Sequence, residues 1–282
     1  MDRHIIILTT DKRQEALGSL LPGKKTRCSW EEYERDGITE KIYVLPTPVT
    51  KLDANKETKE KLKEELTNCK GPLMVFAGAM NEEWRLFLET NGIVYWDFMK
   101  LPEVVEGNGW ITAEATLAEV LNHGDYSVQG QRVLVTGYGC CGQKIAKVFS
   151  ALGAEVTVAA RRLEVREEIA AAGYVAVSFA EVTSVAASVD TVINTVPAQV
   201  ITRAVVQGMR KDAIIVDIAS SPGGTDFDAA KERGIQAYLS LGLPGKYTTT
   251  SSAMLLKEAI SKYAPLENDM REDRQWIFQI IM

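Results

Sequence analysis

The sequence predicts an α/β protein of two domains, each built on a parallel sheet, with a helix joining them. A length of 282 residues corresponds to about two domains at ~150 residues each. Hydrophobic residues make up 46% and charged residues 25%, which is typical of folded proteins and excludes disordered or fibrous chains. Strand-like and helix-like segments alternate through both halves, and this order favours parallel sheets covered by helices on both faces.

The first half supplies one such series. Strands are predicted at residues 5–8, 42–45, 73–77 and 93–98, and helices at 11–21, 51–70 and 81–91. Asp11 is a suitable N-cap for the first helix, and Pro22 follows its end. We therefore expect a flavodoxin-like α/β domain over residues 1–110.

The second half begins where Gly107 and Gly109 interrupt the alternation. Thr112 is predicted to cap a linker helix over residues 111–126. Further strands are predicted at 132–136, 155–159, 191–194, 213–218 and 236–239, which gives a second α/β domain over residues 127–264. Residues 265–282 carry apolar side chains at helical spacing and are expected to dock on the protein as a helical tail.

Composition excludes several classes of function. The chain has 32 basic and 38 acidic residues and a formal net charge of −6, which disfavours nucleic-acid binding. No apolar run approaches the ~20 residues that cross a bilayer, so we expect no membrane contact and a cytoplasmic location. Four cysteines and two histidines show no metal-ligand spacing, and no metal site is predicted.

A glycine-rich turn follows the strand at 132–136 and precedes a helix predicted at 143–152. The turn comprises Gly137, Tyr138, Gly139, Cys140, Cys141 and Gly142. Gly137 permits a tight turn, Gly139 lets backbone amides approach a pyrophosphate, and Gly142 lets the helix pack closely on the strand. This context predicts a Rossmann-like dinucleotide site at a helix N-terminus, the alternative being glycines kept only for packing. Cys140 and Cys141 are interpreted as small loop residues, although a helix N-terminus can activate a thiol.

The end of the next strand indicates which dinucleotide binds. NAD enzymes usually place an acidic residue there, whereas this chain has Arg161 and Arg162. Guanidinium groups can pair with a 2′-phosphate, so NADP is favoured and NAD stays possible. Alternatively, the arginines are only exposed residues at a strand end.

Loops after later strands should face the rest of the cofactor and the substrate, because ligands bind beyond the carboxyl ends of parallel strands. We assign to this region Thr195, Val196, Pro197 and Ala219 as cofactor contacts. Lys246, with the hydroxyls that follow it, is suited to bind a small anion. An ordinary turn and helix cap explain the same residues equally well.

Several of these motifs resemble the family of dipicolinate synthase A subunits from spore-forming bacteria. They are Asp11–Gln14, Ile111–Glu114, Gly137–Gly139, Asp217–Phe227 and Gly242–Gly245. The last two are the most particular to the family, from which the chain departs at Cys140–Cys141 and at Tyr247–Ser252.

The resemblance implies NAD(P)-dependent oxidation of a dihydrodipicolinate-type ring to dipicolinate. It also implies a small dicarboxylate substrate and a flavoprotein-like partner, the B subunit. Ser220, Ser221 and Lys246, with Thr248 and Thr249, are then the expected anion contacts. Glu114 is the candidate base for the ring proton.

Two other functions stay open. D-2-hydroxyacid dehydrogenases share the two-domain plan, but they use a histidine acid/base and no histidine follows His123 here. A non-catalytic subunit that binds NADPH is equally compatible with the scarcity of acid/base residues. A homo-oligomer is possible in either case.

Overall fold

The computed structural model describes residues 4–9, 11–28 and 40–265. These residues form two compact units. One unit contains the described residues up to Gly107 together with those from Thr249 onward, and the other is Asn108–Thr248. The predicted tail falls almost wholly on residues 266–282, outside the described residues.

The first unit is built on a parallel sheet of strand order β2-β1-β3-β4-β5. Its strands are β1 (His4–Leu8), β2 (Lys24–Cys28), β3 (Lys41–Val44), β4 (Leu73–Ala77) and β5 (Val94–Asp97). The helices that follow them are α1 (Lys12–Leu20), α2 (Lys56–Asn68) and α3 (Glu82–Thr90), with short 3₁₀ helices at Val49–Ala54 and Phe98–Lys100. This is the flavodoxin-type order.

Local signals identified most of these elements but not β2. Asp11 caps α1 as predicted, its carboxylate accepting a hydrogen bond from the Gln14 amide at 3.2 Å. Strand β2 lies at the sheet edge and pairs only with β1. It opens with Lys24 and Lys25, so no apolar alternation marks it in the sequence.

Helix α4 (Pro102–His123) differs from the linker helix predicted over residues 111–126, because it begins nine residues earlier, while the two units still divide after Gly107. It runs unbroken through Gly107 and Gly109, so Thr112 lies inside the helix and does not cap it. A Cβ atom at Gly107 would come within 2.8 Å of the Leu255 side chain, and one at Gly109 within 2.6 Å of Cys140 Sγ. These glycines therefore permit close side-chain packing within each unit, which outweighs their helix penalty of about 1 kcal/mol each.

The second unit carries a six-stranded parallel sheet of order β11-β10-β9-β6-β7-β8. Its strands are β6 (Arg132–Thr136), β7 (Glu155–Ala159), β8 (Val175–Val177), β9 (Thr191–Asn194), β10 (Ile214–Asp217) and β11 (Gln236–Leu239). Its helices are α5 (Cys140–Ala151), α6 (Leu163–Ala171), α7 (Val182–Ala186), α8 (Arg203–Gly208), α9 (Phe227–Arg233) and α10 (Leu243–Lys246). This is the Rossmann order, so the predicted fold class is confirmed.

Helix α11 (Thr249–Tyr263) shows that the predicted domain over residues 127–264 was drawn too long. It packs on α1 and places Ala253, Leu256 and Ile260 in the apolar core that contains Leu17. The chain therefore returns to the first unit after completing the second. The spacing of apolar residues in the sequence indicates that α11 has an apolar face. It does not indicate that this face packs on α1.

Candidate functional site

The glycine turn lies where the chain order reverses, at the carboxyl ends of the neighbouring strands β6 and β9. Gly137 has φ +94°, a value that side chains rarely tolerate. A Cβ atom at Gly142 would lie 2.3 Å from the Gly137 carbonyl oxygen. Gly139 is exposed, with nothing within 4 Å of a Cβ position, and it directly precedes α5.

This arrangement fits a pyrophosphate. The first and third glycines are required by the backbone, whereas Gly139 leaves open space beside the first amides of α5. Those amides have no carbonyl partner within the helix and carry its partial positive charge. Helix α5 begins at Cys140, three residues before the predicted start, so Cys140 and Cys141 belong to its first turn.

A polar cluster joins the loops that follow β6 and β9. Thr136 Oγ1 donates to Asn194 Oδ1 at 2.6 Å, and Thr195 Oγ1 donates to the Thr136 carbonyl at 2.8 Å. Asn194 also bonds both backbone polar groups of Val196, each at 3.0 Å. The structure thus brings Thr195 and Val196 against Gly137, while Pro197 stays exposed. Sequence reasoning missed Asn194, whose position at the end of an apolar strand was the available signal.

The loop after β10 is held by a second buried residue that sequence reasoning did not assign. Asp217 is fully buried and accepts hydrogen bonds from the Ala219 amide at 3.0 Å and the Gly224 amide at 2.8 Å. Thr225 Oγ1 donates to the same carboxylate at 2.7 Å. Ala219 is consequently buried, and Ser220 and Ser221 project at the exposed tip of the loop.

The loop after β7 presents the two predicted arginines. Arg161 and Arg162 are both exposed, and Arg162 directly precedes α6. Arg166 Nη1 donates to the carbonyl oxygens of Ala160 at 3.1 Å and Arg161 at 2.8 Å, which fixes this loop. The end of β7 carries no acidic side chain, because Ala159 and Ala160 occupy that position and are buried.

Lys246 makes a contact that the sequence did not predict. Its ammonium group hydrogen-bonds Glu119 of α4, as do the hydroxyls of Ser240 and Tyr247. Burial alone would raise the pKa of the Glu119 carboxyl, but the hydrogen bonds from Lys246, Ser240 and Tyr247 lower it to about 2. The pair fixes the ammonium group at the end of the Lys246 side chain, while 53% of that side chain stays exposed.

The other predicted site residues differ in their surroundings. Glu114 is exposed and lies well inside α4, so it is not in the opening turn where the linker helix predicted over residues 111–126 would place it. Thr248 Oγ1 is enclosed and has no hydrogen-bond partner among the described residues, and Thr249 opens α11.

Neither a reactive thiol nor a metal finds support in the parts of the chain that the structure covers. Burial raises the pKa of the Cys141 thiol, although Thr112 hydrogen-bonds it and acts in the opposite sense. This direction opposes the thiolate that reactivity needs. Residues 4–9, 11–28 and 40–265 contain no group of three metal-ligating side chains, and no helix within them could span a bilayer.

Comparison with known proteins bears on both units. Residues 111–277 match the family model described as alanine dehydrogenase/PNT, C-terminal domain. The dipicolinate synthase A subunit of Bacillus subtilis (strain 168) is 37% identical over 151 residues, which is 54% of this chain and 51% of that protein. The aligned region thus spans about half the length of this relative.

Solved structures extend the likeness over most of the chain. The dipicolinate synthase A subunit from Bacillus halodurans superposes with a TM-score of 0.76 at 26% identity, covering 93% of this chain and 98% of that chain. The corresponding protein from Bacillus subtilis gives 0.76 at 24% identity over 93% and 96%. A Sinorhizobium meliloti transhydrogenase gives 0.63 at 14% over 92% of each chain, a likeness of fold alone. The predicted resemblance and the dehydrogenase-like, NAD(P)-binding region are confirmed.

Proposed function

We propose, from the premise that this chain belongs to the alanine dehydrogenase/PNT C-terminal domain family, that it is an NAD(P)-dependent dehydrogenase of the dipicolinate synthase type. The proposed reaction removes one hydride and one proton from a dihydrodipicolinate-type ring and leaves the aromatic pyridine-2,6-dicarboxylate. The main observation behind the proposal is the Gly137–Gly142 turn, which lies at the carboxyl ends of β6 and β9, where the order of the strands reverses.

When bound, the nicotinamide supplies the hydride acceptor, and formation of the aromatic ring supplies the driving force. The protein has mainly to position the ring and to exclude wrong geometries. Thr195 and Val196, fixed by Asn194, are assigned to the nicotinamide half of the cofactor. Pro197 and Ala219 are assigned to the same half.

One of the substrate carboxylates is assigned to hydroxyl and ammonium groups. Ser220 and Ser221 lie at the exposed tip of a loop whose base Asp217 fixes. Lys246 has three N–H donors, of which Glu119 engages one and the Tyr247 hydroxyl another, so one donor remains for a carboxylate. Glu114 is exposed and is proposed as the acceptor of the ring proton.

The direct test is an assay of the purified chain with freshly generated dihydrodipicolinate and NADP⁺, following formation of NADPH and dipicolinate. We expect turnover by wild-type protein, and loss of most activity in the Ser221→Ala, Lys246→Ala double variant. Full activity in the double variant would refute the assignment of these residues. Turnover only after addition of a B subunit, which we propose as a flavoprotein-like partner, would identify the chain as a non-catalytic component that binds NADPH.

The NADP preference is proposed from Arg161 and Arg162, exposed at the end of β7 where NAD enzymes place a carboxylate. Replacing both by alanine should weaken NADP⁺ binding by about tenfold or more and leave NAD⁺ binding nearly unchanged. Calorimetric titration of both nucleotides measures the difference. The exposed Lys211→Ala serves as a control for loss of a surface cation, and equal binding of both nucleotides by wild-type protein would contradict the assignment.

A further inference from the structure

Arg13 is a buried arginine for which the described part of the chain offers no partner. It is the second residue of α1 and follows β1 at the carboxyl edge of the first sheet. The residue is only 7% exposed, and its Nε atom is fully enclosed without a hydrogen-bond partner. Within residues 4–9, 11–28 and 40–265, the guanidinium forms no ion pair.

Such an arrangement is costly for the protein alone. Guanidinium groups stay protonated in proteins, and an unpaired buried charge costs several kcal/mol. Burial lowers the pKa of Arg13, and the nearby charge of Asp11 acts in the opposite sense without restoring it. For stability alone, arginine is unfavourable at this position, because an apolar side chain of similar size would fill the same space without the free-energy cost of a buried charge.

Among the described residues, the carboxylate that acts on Arg13 is that of Asp11, and it is already engaged. Asp11 accepts the Gln14 amide as the N-cap of α1, at 3.2 Å, and pairs with the ammonium of Lys51 at 3.0 Å. Burial raises the pKa of this carboxyl, but the charges of Lys51 and Arg13 lower it. Within the described part of the chain, two cations thus act on one acid at this position before any ligand binds.

The location is suited to a ligand. Strand β1 lies between β2 and β3, so the chain order of this flavodoxin-type sheet reverses beside β1, where open α/β sheets bind ligands. Gln14 is buried and donates from Nε2 to the Leu45 carbonyl at 3.0 Å, which ties the start of α1 to the end of β3. This hydrogen bond fixes the first turn of α1, which carries Arg13, against the sheet.

We infer that Arg13 forms a binding site for a carboxylate group at the carboxyl edge of the first sheet. A carboxylate can accept two parallel N–H···O hydrogen bonds from the guanidinium. It would also supply the negative charge that the described residues do not place against Arg13. That this carboxylate belongs to a pyridine-dicarboxylate-type ring rests on the proposed function. The site itself does not depend on the nucleotide-binding turn.

The test compares binding and stability in the full-length chain with Arg13→Met, which keeps much of the volume of the side chain and removes its charge. Dipicolinate, the stable aromatic diacid, is the probe in calorimetry and in thermal unfolding. We expect Arg13→Met to weaken dipicolinate binding by about tenfold or more. Without ligand, the variant should unfold at the same temperature as wild type or at a higher one.

Two further variants test whether the paired donors of Arg13, and not positive charge alone, bind the ligand. Arg13→Lys retains the charge but not the paired donors and should bind with intermediate affinity, while the exposed Lys12→Gln should bind as wild type. Undiminished dipicolinate binding by Arg13→Met would overturn the site, as would a lower unfolding temperature for Arg13→Met without ligand. Inorganic phosphate binding as tightly as dipicolinate would overturn the carboxylate class.

Measuring nucleotide affinity distinguishes the carboxylate site at Arg13 from the proposed dehydrogenase activity. NADP⁺ should bind Arg13→Met as it binds wild type. If wild-type protein failed to bind either nucleotide while dipicolinate binding still depended on Arg13, the proposed dehydrogenase would fail and the carboxylate site would stand.

Discussion

Glu119 shows how one buried carboxylate organises the segment after β11. Three side chains from that segment donate to it, and His123, one turn further along α4, lies 3.6 Å away and stacks on the Tyr238 ring. Its charge is thus stabilised by several donors and not by a single ion pair. Because Lys246 is among them, the acid is a positioning residue for the proposed anion site.

Glu119→Gln keeps the shape of this side chain and removes its charge. We expect a loss of about 1–3 kcal/mol in the free energy of unfolding, because the buried donors then lack a charged acceptor. Under the proposed function, KM for the diacid should rise while NADP⁺ affinity is unchanged. The exposed Glu167→Gln should change neither quantity, and an unchanged KM in Glu119→Gln would contradict the positioning role.

The same substitution should change how the free energy of unfolding depends on pH. Since the pKa of Glu119 falls from 4.5 to about 2 on folding, its contribution is present above pH 4.5 and is lost as the pH falls towards 2. Wild-type stability should therefore decline more steeply than that of Glu119→Gln between these values. Parallel acid-unfolding curves for the two proteins would show that the carboxylate contributes nothing.

At the scale of single residues, the local sequence predicts the residues proposed to contact a ligand better than it predicts the residues that fix their loops. Gly137, Gly142 and the arginines after β7 follow from neighbours in sequence. Asn194 and Asp217 act through backbone groups of their own loops, but the value of those contacts depends on burial that local sequence does not display.

At the scale of elements, the β6–turn–α5 unit requires its glycines for different reasons. Gly142→Ala would place a Cβ atom 2.3 Å from the Gly137 carbonyl oxygen, so backbone must move. Gly139→Ala meets nothing within 4 Å and has φ −76°, which alanine adopts freely. The first substitution affects folding, and the second affects only the space left for phosphate.

We therefore expect Gly142→Ala to cost about 1–3 kcal/mol in stability and to abolish nucleotide binding. Gly139→Ala should keep wild-type stability and lose nucleotide affinity by about tenfold or more. Chemical denaturation and nucleotide titration of both variants measure these effects. A destabilised Gly139→Ala or a fully binding Gly142→Ala would refute this division of roles.

The missed elements share a physical cause. Strand β2 lies at a sheet edge, and β8 has three residues, one of which, Val175, is 62% exposed. Each is held mainly by backbone hydrogen bonds to one neighbour, which leave little trace in side-chain periodicity. Strands β6, β7 and β9, each paired on both sides, begin and end at the predicted residues, and so does β11, although it lies at the other edge of its sheet.

At the scale of the whole molecule, α11 makes the first unit discontinuous in sequence. Leu256→Ala removes a side chain that is 3% exposed in the core shared with α1, and should cost this unit about 2–5 kcal/mol. Because two units can unfold separately, amide hydrogen exchange in β1 and β3 is the suitable measurement. NADP⁺ affinity should be unchanged, and Ser251→Ala, exposed on the same helix, is the matched control.

Faster exchange in β6 and β9 with no change in β1 would show that α11 stabilises the second unit instead. This outcome would restore the sequence-based assignment of residues up to 264 to the nucleotide-binding domain.

The sequence by itself determined the α/β class, most strands and the phosphate turn, because each depends on side-chain periodicity or backbone freedom within about twenty residues. Only the tertiary structure decided the continuity of α4, the return of α11 to the first unit and the contacts of Glu119. These depend on residues as far apart as Glu119 and Tyr247, whose proximity is fixed by packing. Arg13 belongs to the same class, since only the folded chain reveals that its charge is buried without a partner among the described residues.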